Sequence, residues 1–220
     1  MQYSTRRILI CAALILNIAP PYALAQTLRP VRDNTIISNE LPKADLALDS
    51  AFRYIGGQQV NLYHMADAEQ HLFIRGGNTG VIDAFYWIQF EHRVPADKHT
   101  YNYQLGHNTD LSGLDFAYDQ KAWPDYASEL LDDPESDGAA ISRLLAEKNL
   151  KFPQRAARVR MFHLPTPDHR SELMIIYGEA LPQDSTVPAR KEGVDLIQEA
   201  PPFARDLLAH MRSNLTIHPK

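Results

Sequence analysis

The chain has almost no cysteine, since Cys11 is the only one among 220 residues. Cys11 lies in an apolar segment near the N-terminus that has the features of a cleaved export signal. Without that segment, the chain has no thiol for a disulfide, a cysteine-ligated metal or a nucleophile. The remaining 195 residues, 220 less 25, can bury about 70% of the surface of the unfolded chain. A small fold that depends on disulfides is therefore excluded.

The first 25 residues form a predicted signal peptide. Arg6 and Arg7 precede a nearly unbroken apolar run at 8–16, and Ala23-Leu24-Ala25 matches the small-x-small pattern of a cleavage site. This predicts cleavage before Gln26 and a periplasmic or secreted protein. The apolar run is shorter than the roughly 20 residues that span a bilayer. No longer run follows, so we expect no membrane anchor after cleavage.

Positive charge is also scarce. The chain has 22 Lys and Arg against 27 Asp and Glu, a formal net charge of −5. Loss of Arg6 and Arg7 with the signal changes −5 to −7. A chain with this balance has no long-range attraction to DNA, RNA or an anionic membrane. We therefore expect no nucleic-acid partner.

What the sequence does contain is a succession of strand patterns followed by helical ones. Alternating and β-branched segments predict strands at 59–63, 70–75, 81–94, 101–105, 114–118, 159–164 and 172–180. Helical patterns occur at 124–131, about 133–149, 193–199 and 203–214. This order predicts an α+β fold with a mostly antiparallel sheet of about five to seven strands and helices packed on one side.

Residues 26–50 have no sustained periodicity, so they are predicted to be an extended leader or a strand added at a sheet edge. We expect one domain over residues 51–220.

The clearest turn is Gly76-Gly77-Asn78-Thr79-Gly80. Glycine and asparagine accept the positive φ that short hairpin loops require, so this segment is predicted to join the strands at 70–75 and 81–94. Its composition is also that of a phosphate-binding loop, but no helix follows to supply an N-terminal dipole. Because no other cofactor motif is present, we expect no cofactor.

The strand at 82–92 carries the most informative side chains. Alternate residues of a strand face opposite ways, which places Tyr86, Ile88 and Phe90 on a core face. The other face holds Phe85, Trp87, Gln89 and Glu91. Two large aromatic rings with an amide and a carboxylate are typical of a ligand cavity, and on this interpretation Phe85 and Trp87 are partly accessible. The alternative is a solvent-side face that a helix or the leader covers.

Tyr101 and Tyr103 are two residues apart on a predicted strand, so their side chains point the same way. If that direction is the Trp87 face, the cavity gains two hydroxyl groups.

The nine histidines raise the question of a metal site. The densest group of potential ligands is His64, Asp67, Glu69 and His71, but two histidines seven residues apart across a bend have no recognised ligand spacing. We expect structural or surface roles for them and no metal site.

A calcium-loop pattern begins at Asp133-x-Glu135-x-Asp137-Gly138. The twelfth position is Leu144, where a calcium loop has a bidentate carboxylate. Acidic side chains are stabilised at the first turn of a helix by the positive end of its dipole. Asp133, Ser136 or Asp137 is therefore predicted to cap the helix instead.

Two classes of function fit the sequence, with a third behind them. The first is a binding module that holds a small, partly apolar molecule or a peptide against Phe85, Trp87, Gln89 and Glu91, with Tyr101 and Tyr103 beside them. The second is a hydrolase-like enzyme whose acid or base comes from Glu91, Glu69, His71 or His92. The third is a protein–protein interaction scaffold. Binding is favoured because no nucleophile motif, metal set or cofactor motif is present.

Expression of the full chain in a host with a general secretion pathway is expected to yield a protein that begins at Gln26. The apolar run and Ala23-Leu24-Ala25 provide what the signal peptidase recognises. The intact mass of the exported protein checks this expectation. A retained signal, or an acyl group on Cys11, would contradict it.

Overall fold

The computed structural model describes residues 28–189, 193–195 and 206–220. In these residues the chain forms two antiparallel sheets and three short helices. The strands are β1 (Val31–Arg32), β2 (Thr35–Ile37), β3 (Ala44–Leu48), β4 (Arg53–Leu62), β5 (Ala66–Gly76), β6 (Ile82–Arg93), β7 (Asn108–Leu111), β8 (Leu114–Trp123), β9 (Ala156–His163), β10 (Ser171–Ala180), β11 (Val194–Asp195) and β12 (Leu215–Pro219). The helices are α1 (Tyr126–Glu129), α2 (Asp137–Ala146) and α3 (Leu207–Ser213). The antiparallel sheet is confirmed, but the protein is largely β and not clearly α+β.

The larger sheet has eight strands. Six of them follow the order β8-β9-β10-β6-β5-β4, and β7 and β11 both pair with the outer side of β8 at different positions along it. The turn between β5 and β6 is the one predicted at 76–80. Its glycines Gly76, Gly77 and Gly80 have φ of 77°, 99° and 84°, values that favour glycine over any other residue.

The smaller sheet has the order β1-β2-β3-β12. The segment expected to be an extended leader or an added edge strand supplies its first three strands, and β12 from the end of the chain pairs with β3. Leu46 and Ile217 are partners in this pairing and are both buried. They belong to the same apolar cluster as Tyr86 and Ile175 of the larger sheet, so this core lies between the two sheets.

Helices α1 and α2 cover part of the opposite face of the larger sheet. Ser136 begins α2 by accepting a hydrogen bond from the Ala139 backbone N–H (3.0 Å), as an N-cap serine does. An apolar stripe on α2 then packs against the sheet. Its members are Ile141, Leu144 and Leu145.

Phe85 and Trp87 lie in this second core and are 0% and 2% exposed. Phe85 stacks on Tyr126 of α1 and meets Phe152 edge to face. The expectation that Phe85 and Trp87 are partly accessible is therefore wrong. The alternative, a helix covering that part of the strand, is what the structure has.

Other local predictions differ from the structure. Residues 101–105 lie in a connection across the sheet and form no strand. Within the predicted helix at 193–199, Val194–Asp195 is a strand, and residues 196–199 lie outside the described part of the chain. The helix predicted at 203–214 is seen as α3, while 203–205, like the predicted signal peptide, lie outside the described residues. None of the described helices is long and apolar enough to cross a bilayer.

Replacing Ile88 or Trp87 with alanine is expected to destabilise the protein to a similar degree, by about 2–5 kcal/mol each. Ile88 is 0% exposed on one face of β6 and Trp87 is 2% exposed on the other, so each change leaves a cavity in a closed core. Urea unfolding measures both values. The control is Gln59→Ala, an exposed position on β4, where a change within about 0.5 kcal/mol is expected.

Candidate functional site

Two glutamates lie directly opposite each other on neighbouring strands. Glu91 is on β6, Glu172 is on β10, and the antiparallel register pairs them. Residues paired in this way have Cβ atoms about 4.5–5.5 Å apart on one face of the sheet. Glu172 is 3% exposed. Two carboxyl groups are thus held side by side with little access to water, where a second negative charge is unfavourable.

The connection between β6 and β7 covers this pair. Tyr101 and Tyr103 point to the same side, as their spacing predicts, and each phenol reaches one carboxyl group. The Tyr101 hydroxyl donates to Glu91 Oε1 (2.5 Å) and the Tyr103 hydroxyl donates to Glu172 Oε2. The tyrosines therefore satisfy one oxygen of each acid.

Arg170 holds the beginning of this connection in place. Its guanidinium donates to the carbonyl oxygens of Val94 (2.9 Å) and Asp97 (3.0 Å). The Tyr101 backbone N–H donates to the His169 carbonyl (2.9 Å). These bonds tie the connection to the start of β10, which explains why it crosses the sheet face instead of pairing as a strand.

A chain of side-chain amides crosses the sheet to Glu91. Gln58 Nε2 donates to Gln70 Oε1 (2.7 Å), and Gln70 Nε2 donates to Gln89 Oε1 (2.9 Å). Gln89 Nε2 donates to Glu91 Oε2 (2.7 Å). Both oxygens of Glu91 therefore accept a hydrogen bond, one from the amide chain and one from a phenol.

Three aromatic rings form a parallel stack above the two acids. The centroids of Tyr101 and Tyr103 are 6.3 Å apart, those of Tyr103 and Phe162 are 3.7 Å apart, and each pair is within 9° of parallel. A guanidinium lies over each end of the stack, Arg93 over Tyr101 (4.4 Å) and Arg160 over Phe162 (5.0 Å).

A cavity of about 330 Å³ opens beside the acids and the stack. This volume lies at the lower end of the range for small-molecule sites, roughly 300–1,000 Å³. The turn between β4 and β5 contributes Tyr63 and Met65, which are 41% and 38% exposed. The Tyr63 hydroxyl donates to Asp133 Oδ2 (2.7 Å). The remaining lining residues are Leu62, Ala66, Glu91, Arg93, Tyr101, Tyr103, Asp137, Arg160, Phe162, Glu172 and Met174.

Burial changes the ionisation of the acids on the cavity wall. Desolvation, with repulsion from Glu91, raises the pKa of Glu172 to about 8. Desolvation also raises the pKa of Glu91, against the hydrogen bonds from Tyr101 and Gln89. The pKa of Asp137 is raised for the same reason, against its backbone hydrogen bond and the nearby arginines. Ionisation of both glutamates at once is therefore unfavourable.

The six predicted binding residues divide into two groups. Glu91, Tyr101 and Tyr103 line the cavity, and Gln89 lies beneath it with 0% exposure. Trp87 is joined to this group only by a hydrogen bond from its Nε1 to Gln89 Oε1 (3.2 Å). Phe85 is packed under α1, and neither Phe85 nor Trp87 is among the lining residues.

Four charged cavity residues were not predicted: Glu172, Arg93, Arg160 and Asp137. Glu172 shares a face with Met174 and Ile176 on β10, so a carboxylate in line with buried apolar residues is the signal that the sequence offered. Its meeting with Glu91 depends on the register between strands that pair residues 81 positions apart in the chain. Asp137 was assigned to helix capping, and it does occupy the first turn of α2.

A second polar group lies on the other face of the larger sheet. His71 Nε2 is 2.7 Å from Glu69 Oε1, and the Tyr54 hydroxyl is 3.0 Å from His71 Nδ1. The Arg29 guanidinium also binds Glu69. Glu69 and Arg29 line a second cavity of about 920 Å³, together with His92. Of the four predicted acid–base residues, Glu69, Glu91 and His92 line this second cavity, and His71 contacts Glu69.

The potential metal ligands are dispersed. His64 is exposed in the turn between β4 and β5, and Asp67 accepts a hydrogen bond from Asn61 (2.7 Å). Across residues 28–189, 193–195 and 206–220, no three histidine, aspartate or glutamate side chains are grouped to hold a metal ion.

The fold and the site define a two-sheet antiparallel β protein with a small cavity of aromatic and acidic residues on the helix-covered face. Comparison of the chain with protein-family models, with curated proteins and with solved structures finds no match.

The free energy of unfolding is expected to depend on Glu172 between about pH 4.5 and pH 8. The folded protein holds the Glu172 proton more tightly than the unfolded chain, because burial and Glu91 raise its pKa to about 8. Stability from this proton is complete below about pH 4.5 and is lost as the pH rises toward 8. Glu172→Gln should remove this loss. The free energy of unfolding of the variant should therefore increase relative to that of the wild type as the pH rises. Urea unfolding at pH 5, 6.5 and 8 measures the difference.

Tyr103→Phe is the matched control for this experiment. It removes the phenol that bonds Glu172 but keeps the carboxyl group, so the fall in stability toward pH 8 should remain. Equal pH dependence in the wild type and in Glu172→Gln would contradict the buried protonated carboxyl.

Proposed function

We propose that the protein is an exported binding module for a small, partly apolar ligand, and that the ligand occupies the cavity beside Glu91 and Glu172. The observation that carries the proposal is the cavity itself: about 330 Å³ with an aromatic stack on one side and two paired carboxyl groups on another. Apolar walls with a few fixed polar groups are the usual composition of small-molecule sites.

Charged groups on the cavity wall support the proposal. Arg93 and Arg160 line the cavity together with Glu91 and Glu172, and within the described residues neither arginine forms an ion pair with either glutamate. A bound molecule can therefore contact charges of both signs.

The second cavity is larger, but its central charges already satisfy each other. Glu69 binds both the backbone N–H and the guanidinium of Arg29, and it also contacts His71. Arg29 Nε donates to Ser38 Oγ (2.9 Å), and its guanidinium lies over the Phe90 ring at 3.8 Å. The first cavity, with its unpaired groups, is therefore the better candidate.

A blocking substitution at the mouth of the first cavity tests the proposal. Met65 is 38% exposed, so Met65→Trp should fill the entrance without disturbing the core. Leu41, 46% exposed, lines the second cavity, and Leu41→Trp is the matched control. Native mass spectrometry of the exported proteins and melting-temperature shifts with a library of small aromatic compounds measure binding.

Binding to the wild type and to Leu41→Trp, with loss in Met65→Trp, is the expected result. Loss of binding in Leu41→Trp alone would indicate that the ligand occupies the second cavity. The proposal fails if the wild type retains no molecule and no compound raises its melting temperature in a way that Met65→Trp abolishes.

A hydrolase-like acid–base enzyme is the second candidate, and the glutamate pair favours it. A protonated carboxyl next to an ionised one is the arrangement of many glycoside hydrolases. If the pair is catalytic, hydrolysis of a chromogenic glycoside should fall by at least about 100-fold in both Glu91→Gln and Glu172→Gln. Hydrolysis that neither variant changes, or none above the uncatalysed rate, favours the binding module.

A further inference from the structure

We propose that the ligand of the first cavity is an organic cation, a small aromatic or alkyl ammonium whose N–H groups bind the carboxyl groups of Glu91 and Glu172. This inference rests on the proposed function, because it specifies the charge of the molecule that occupies the same cavity.

The first argument is the charge balance of the cavity wall. Glu91, Asp137 and Glu172 line the cavity, and within the described residues none of them has a lysine, arginine or histidine nitrogen within 4 Å. A buried carboxylate without a positive partner is costly, which is why such groups are normally paired or protonated. The missing charge is one that a ligand can bring.

The two arginines of the cavity form their ion pairs with aspartates and not with the three acids, on which their charges act only from a longer distance. Arg93 Nη1 lies 3.0 Å from Asp97 Oδ2, and Arg160 Nη2 lies 2.7 Å from Asp119 Oδ2. Neither Asp97 nor Asp119 is a lining residue. Arg93 and Arg160 themselves line the cavity and would favour an anion, so an anionic probe has to be compared with a cationic one.

The aromatic stack gives a cation hydrogen-bond acceptors but no free ring face. Arg93 and Arg160 cover the two outer faces, and the inner faces stack on each other. The phenol oxygens of Tyr101 and Tyr103 can accept from an ammonium N–H. An ammonium at the glutamate pair would lie next to the phenol hydroxyls of Tyr101 and Tyr103, which are bonded to the same acids.

Binding of a cation should release a proton. The carboxyl proton of the glutamate pair leaves to solvent when the ammonium N–H groups take its place against the two acids. The groups that face the pair and take part in its titration come from several elements. They are Tyr101 and Tyr103 above it, Gln89 and Arg93 on β6, and Asp137 on α2, on which Arg160 of β9 acts in turn.

Three probes with the same ring and different charge test the inference: benzylamine, benzyl alcohol and benzoate. Isothermal titration calorimetry at pH 7, in two buffers with different ionisation enthalpies, gives the affinity and the number of protons released. Benzylamine should bind at least about tenfold more tightly than benzyl alcohol, as expected for a charge-assisted hydrogen bond. It should release up to one proton per molecule, and its affinity should rise from pH 6 to pH 8.

Variants of two glutamates on the same strand provide the control. Glu172→Gln should reduce benzylamine affinity at least about tenfold and abolish proton release, while benzyl alcohol binding is unchanged. Glu179→Gln removes the same charge from β10 outside the cavity. It should change neither the affinity for benzylamine nor the number of protons released.

The outcomes separate this inference from the proposed function. Benzyl alcohol or benzoate binding as tightly as benzylamine, with loss in Met65→Trp, would overturn the cation and leave the binding module standing. Retention of an anionic or neutral molecule by a protein that does not bind benzylamine would have the same consequence. If Met65→Trp abolishes no binding, both the organic cation and the binding module are overturned.

Discussion

The register between β6 and β10 is the constraint on which the site depends. Leu173, Ile175 and Tyr177 of β10 face the core between the sheets, opposite the apolar residues of β6. A shift of one residue would turn every one of these side chains to the other face, so the core fixes the register. The same register places Glu172 opposite Glu91. The unfavourable meeting of two acids is thus a consequence of favourable packing on the reverse side of the strands.

One face of β6 changes character along its length, and this change separates the second core from the site. Phe85 and Trp87 lie under the helices, while Gln89 and Glu91 lie at the end that the 94–107 connection covers. The amide of Gln89 joins the two parts, because it accepts from the Trp87 indole and donates to Glu91. The indole therefore supports the site through a hydrogen bond and not as a cavity wall.

The sequence predicts the long strands and the turn at 76–80 because they have strong periodicity or special φ requirements. It does not predict β1, β2, β3, β7 and β11, whose two to five residues are too short for a sustained pattern, or β12, which lies in a segment with a helical pattern before it. Local spacing is enough to orient Tyr101 and Tyr103 together. Glu172, Arg160 and Asp137 reach the cavity only through pairings between distant strands and through helix packing, which no local pattern contains.

The pairing of β3 with β12 has a consequence for the order of folding. Leu46 meets Ile217 across a sequence separation of 171 residues, so the smaller sheet closes with some of the most distant contacts in the chain. Long-range strand pairing is slow, because loop-closure entropy must be overcome before the contacts form. Until β12 arrives, the apolar face of the larger sheet lacks part of its cover. A chain in which β12 has not yet paired therefore has exposed apolar surface and an unpaired strand edge, both of which favour aggregation.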